Sequence, residues 1–65
     1  MKDHELRVVN EKAELDDRIT KLVVFMMHET YSSLPSVEQG LLMVQVRSMK
    51  MYSECLGDRI ERFKQ

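Results

Sequence analysis

The chain holds one cysteine, one proline, two glycines and no tryptophan in 65 residues. A lone Cys55 excludes an intrachain disulfide. A lone Pro35 leaves the stretches on either side of it free to be helical. Neither charge sign dominates: ten Lys and Arg stand against eleven Asp and Glu. Such a balance gives no electrostatic footprint for DNA, RNA or an anionic membrane. The longest apolar run, Leu22 to Met27, is far shorter than the roughly 20 residues a membrane helix needs. Met1 to Glu5 has no signal-peptide core. The expectation is a soluble cytoplasmic protein of one domain, residues 1–65. A domain this small buries only about 60% of its unfolded surface, so a lone monomer is marginal. Without disulfides or a metal, self-association is the remaining source of stability.

Metal spacing is missing as well. His4 and His28 each precede a glutamate, but neither has a second histidine four residues on. On one helix they would lie about 36 Å apart.

What is present is helical periodicity. Leu42, Met49, Leu56 and Phe63 recur at seven-residue steps, with Tyr52 and Ile60 on the same side. They form the apolar seam of one long helix, from about residue 36 to 63. Gly57 lies within it, and Ile60 and Phe63 keep the phase beyond, so the helix is expected to continue. Gln45 and Ser53 interrupt the seam; a single buried polar residue can fix register or oligomer state. Arg47, Lys50, Glu54, Asp58 and Glu61 make the polar face.

The first half, from about residue 3 to 30, reads as the partner helix. Val8, Leu15, Ile19, Leu22 and Met26 keep to one stripe. Asp17 stands four residues before Lys21, in the favourable acid-first order. Residues 31–35 are the connector, where Pro35 biases Leu34 away from helical dihedrals. Ser36 with Gln39 fits a capping box. A connector this short predicts an all-α fold, an antiparallel two-helix hairpin.

Each helix also carries a second apolar strip. On the first it holds Val23, Val24 and Met27, beside Val9 and Ala13; on the second, Val37, Leu41, Val44, Met51 and Cys55. One partner helix cannot cover both strips. The hairpin is therefore expected to self-associate, as a dimeric four-helix bundle. The expected oligomer or partner interface is Val23, Val24, Met27, Leu41, Val44, Met51 and Cys55. Six methionines suit an adaptable contact surface.

Catalytic chemistry finds no purchase. Cys55 has only Arg59 nearby to activate it, and reads as a small buried hydrophobe. The adjacent carboxylates Asp16 and Asp17 diverge on a helix. No nucleophile–base pair assembles, so neither an enzyme nor a cofactor is expected. Arg59, Arg62 and Lys64 form a basic C-terminal end that complements the helix dipole. With Tyr52 or Tyr31, Arg59 and Arg62 would frame a nucleotide's phosphate and base between protomers.

Several stretches point to a family. Glu11-Lys12-Ala13-Glu14-Leu15-Asp16 is followed by Ile19, Lys21 and Leu22. The second half adds Leu34-Pro35, Glu38-Gln39, Leu42, Gln45, Met49, Tyr52-Ser53, Leu56 and Arg59-Ile60. From about Leu6 to Ile60 the chain resembles a family of small uncharacterised helical proteins of tailed phages, crAss-like phages and enterobacterial prophages. The resemblance implies an accessory role inside a bacterial host and no known activity. The leading functional expectation is a non-enzymatic phage protein that occupies a host or phage protein surface, for instance in counter-defence or regulation. The alternative is an oligomeric sponge that sequesters a nucleotide signal between protomers. A third is a structural subunit of a phage assembly.

Overall fold

The computed structural model describes residues 1–64. They form three helices: α1, Asp3–Met26; α2, Glu29–Ser32; and α3, Ser36–Phe63. No strand occurs among the described residues. His4 stands edge-on to Phe63, ring centroids 6.3 Å apart, and Lys12 reaches Ser53. Early residues of α1 thus meet late residues of α3, and the two long helices run in opposite directions. The molecule is a rod of 46 × 15 × 14 Å.

α1 opens with acidic residues, Asp3 and Glu5, at the positive end of its dipole. Glu5 Oε1 accepts the Lys2 backbone N–H at 3.0 Å, satisfying one of the end groups that a helix leaves unpaired. Its C-terminus is a correction to the expected boundary near residue 30. The helix stops at Met26, where the N–H groups of Met27 and His28 reach back only three residues, to Val24 O and Phe25 O, at 3.1 and 3.0 Å. His28 is then extended (φ −86°, ψ 154°), and one short turn, α2, follows. The break lets the chain fold back. The Tyr31 ring stands 6.3 Å from Phe25, and its hydroxyl donates to Gln39 O at 3.1 Å.

The expected capping box does not form. Pro35 occupies the N-cap of α3, with no side-chain cap. Gln39 instead donates to Leu34 O at 2.9 Å and Ser32 O at 3.3 Å, tying the first turn of α3 to the connector. From Ser36 the helix runs unbroken through Gly57.

Val8, Leu15 and Leu56 are the buried centre, with Ile19, Met49, Ile60 and Phe63 packed against them. Leu56 is fully enclosed, a burial that contributes about 1.5–3 kcal/mol. Leu22, Met26 and Leu42 are half-buried. Tyr52 departs from the expected core: it is 46% exposed, while Val46 and Ser53 are buried. The reason is a choice of column. Alongside Leu42–Met49–Leu56–Phe63, the inner face of α3 uses Gln39–Val46–Ser53–Ile60, of which the last three lie four residues on from Leu42, Met49 and Leu56. Tyr52 and Gln45 lie three residues on, and at 100° per residue that places them on the other flank.

A polar layer and a candidate ligand-binding groove

Lys12 and Ser53 both fall on inward columns, so their polar groups meet in the middle of an apolar seam. Lys12 Nζ donates to Asp16 Oδ2 at 2.8 Å and to Ser53 Oγ at 3.1 Å. Ser53 Oγ donates to Asp16 Oδ1 at 2.5 Å. The three side chains close a ring. Gly57 makes room for it: a Cβ there would stand 3.3 Å from Lys12 Cε, so the bare glycine lets the lysine stem cross α3. The hydrogen bond from Lys12, then that from Ser53, hold the Asp16 carboxyl below its ordinary range, against a smaller opposing effect of burial. A carboxylate so stabilised is a weak base. The layer therefore pins the two helices in register and offers no activated nucleophile.

Beside this layer a groove runs between α1 and α3. It consists of two adjoining cavities of about 380 and 390 Å³, and Lys50 and Glu54 line both. The first has Met26, Met43, Val46 and Met51 as its apolar floor and wall, with Arg47, Lys50 and Glu54 at the rim. The second is bounded by Asp16, Ile19, Thr20 and Ser53. Each volume falls within the range of small-molecule sites, roughly 300–1,000 Å³. Among the described residues neither Arg47 nor Lys50 is in an ion pair; the pairs formed are Lys12–Asp16, Asp17–Lys21 and Glu61–Lys64.

The residues expected to contact an anion lie elsewhere. Arg59, Arg62 and Tyr52 are exposed on α3 and line neither cavity. Of the expected interface residues, Val23 is half-buried, and Val24, Met27, Leu41, Val44 and Met51 are exposed. Cys55 is exposed too, contrary to the buried thiol expected. Met51 alone of this set lines the groove. Arg47 and Lys50 read in the sequence as part of a solvated face. The signal for them was spacing: Arg47 stands four residues after Met43, and Lys50 four after Val46, which sets each cation above an apolar neighbour. No cluster of His, Cys, Asp and Glu able to hold a metal occurs among the described residues. No helix there is long and apolar enough to cross a membrane.

Fold and groove together define a small all-helical protein with an open groove lined by apolar side chains and by charges of both signs. The chain belongs to the Sequestin family, whose model matches residues 2–62. It is similar to an uncharacterized 7.5 kDa protein of the denB-rIIB intergenic region of Enterobacteria phage T4, at 39% identity over 61 residues, covering 94% of this chain and 95% of the relative. The family is thus one of small phage proteins, in line with the resemblance seen in the sequence. No solved structure matches the chain.

Proposed function

We propose that this protein is a non-enzymatic, self-associating binder that works by stoichiometric sequestration, and that its cargo is a nucleotide. The family description, Sequestin, speaks of holding rather than converting. The observation that carries the cargo class is the groove: an apolar floor of Met26, Met43 and Val46 beneath the rim cations Arg47 and Lys50. A nucleobase needs an apolar face, and a phosphate needs unpaired cations within a few ångströms. The antiparallel hairpin is the protomer in this reading, and paired hairpins are the active form.

A thermal-shift screen against linear and cyclic nucleotides tests it. A ligand bound only by the folded state at 100 times its Kd adds about 2.7 kcal/mol, a shift of several degrees for a domain of this size. The recovered nucleotide should be chemically unchanged. No shift across the panel would remove the nucleotide reading. A second reading rests on the exposed apolar residues, Val24, Met27, Leu41, Val44 and Met51 among them. Under it, the protein occupies a host or phage protein surface. That reading predicts a co-purifying protein that is lost when Val24, Met27, Val44 and Met51 are together made polar.

A further inference from the structure

Met26, Met43 and Met51 line the first cavity of the groove. Met43 and Met51 stand four residues either side of Arg47, so the three share one edge of α3. Long helical side chains lean toward the N-terminus. Arg47 therefore leans over the turn that carries Met43, and Met51 over the turn that carries Arg47. Elsewhere in the same helix this spacing brings a donor to a sulfur: Gln45 Nε2 stands 4.0 Å from Met49 Sδ. A thioether is only a weak acceptor. Arg47 forms no ion pair among the described residues, so its N–H groups stay available to an anion.

We propose that Met43 and Met51 are oxidation sites that shut the groove: as sulfoxides, they accept hydrogen bonds from Arg47 and tie up donors that a phosphate would use. The loss of cargo rests on the sequestration reading; the change at Arg47 does not. Accessibility selects these two sulfurs. Met43 is 53% exposed and Met51 65%, whereas Met26 and Met49 are half-buried. Met1 and Met27 are open as well but line neither cavity. A peroxide in solution reaches the open thioethers first. A sulfur lone pair attacks one peroxide oxygen, the O–O bond breaks, and one water leaves for each sulfoxide formed. Sulfur loses two electrons and the peroxide gains them. The product turns a flexible apolar side chain into a polar one with a strong acceptor oxygen. Two wall positions that would lie against a base thus become polar, and Arg47 is drawn to them. Lys50 has Val46 and Glu54 at the same spacing, so no sulfoxide forms beside it. Methionine sulfoxide reductases return the thioethers, with a dithiol as electron donor, so the closure is reversible.

The full-length protein, labelled with nitrogen-15, is treated with hydrogen peroxide, and its oxidised methionines are located by peptide mass spectrometry. Met43 and Met51 are expected to gain one oxygen each well before Met26 and Met49. The Arg47 Nε–H resonance is expected to shift, while those of Arg18 and Arg62, with no methionine four residues away, stay in place. Nucleotide affinity, read by thermal shift, is expected to fall about tenfold or more and to return after enzymatic reduction. A variant carrying both Met43→Leu and Met51→Leu keeps the wall apolar at nearly the same volume. It is expected to bind nucleotide equally before and after peroxide, although Met1 and Met27 still oxidise. An unmoved Arg47 resonance in protein oxidised at both sites would overturn the proposal. So would earlier oxidation of Met26 and Met49, an affinity that oxidation leaves unchanged, or a variant as sensitive as the natural chain. The resonance shift requires no cargo. A shifted Arg47 in a protein that takes up no nucleotide, oxidised or not, contradicts the sequestration reading alone.

Discussion

Ser53 stands where an aliphatic side chain would be expected, and its neighbours explain why it is tolerated. A buried hydroxyl without a partner costs about 1–3 kcal/mol. Here it accepts from Lys12 and donates to Asp16, so the position is satisfied. A slip of the helices would take Ser53, on α3, away from Lys12 and Asp16, both on α1. Ser53→Ala is expected to lower stability by about 1 kcal/mol, measured by urea denaturation. The Asp16 carboxyl is held below its ordinary value in the folded chain. Its contribution is therefore fully present above the unfolded value, near pH 4, and is lost as pH falls through the lower, folded value. Thermal midpoints should drop over that acid range in the natural protein and drop less in Asp16→Asn, which starts lower at neutral pH. Leu56→Ala should cost about 2–5 kcal/mol. A 65-residue chain has only about 3–10 kcal/mol in total, so circular dichroism should show much of the helix lost at 37 °C.

At the scale of elements, the ends of α1 and α3 are fixed by polar side chains more than by caps. Gln39 makes two hydrogen bonds to connector carbonyls, and Tyr31 makes one to Gln39 O. Gln39→Ala is expected to cost about 1–2 kcal/mol, and Tyr31→Phe about 1 kcal/mol, by the same denaturation assay. Much of this layer could be read in advance. The heptad of Leu42, Met49, Leu56 and Phe63, the stripe of Val8, Leu15, Ile19, Leu22 and Met26, and the proline that ends the connector made both long helices and the turn between them legible. The break at Met27 and His28 was not legible. No glycine or proline marks it, and the contacts that accompany it, Tyr31 with Phe25 and with Gln39 O, form only once the chain has folded back. Nor was the second inward column: steps of three and four from Met49 are equally helical, and only packing against α1 chooses Ser53 over Tyr52. The role of Gly57 was half visible. Continuation of the helix through it was expected, whereas the space it leaves for the Lys12 stem was not.

The whole molecule is a thin rod, 15 × 14 Å in section. Two helices of this kind enclose one seam and leave their outer faces uncovered, which is why large apolar residues such as Val37 and Met51 remain exposed. A pocket closed on all sides is beyond a pair of helices; a groove completed by a neighbour is not. The groove cations were hidden in the sequence, because Arg47 and Lys50 differ from any solvated pair only in what lies beneath them. Replacing both with alanine should abolish nucleotide-induced thermal shifts while leaving helix content unchanged, since both side chains are exposed.

Native mass spectrometry of protein purified gently from a bacterial host tests sequestration most directly, since it weighs the assembly and its cargo together. The prediction is a dimer or a multiple of it, carrying added mass in nucleotide-sized steps that denaturation releases intact. Assemblies without added mass, still empty after incubation with linear and cyclic nucleotides, would contradict it.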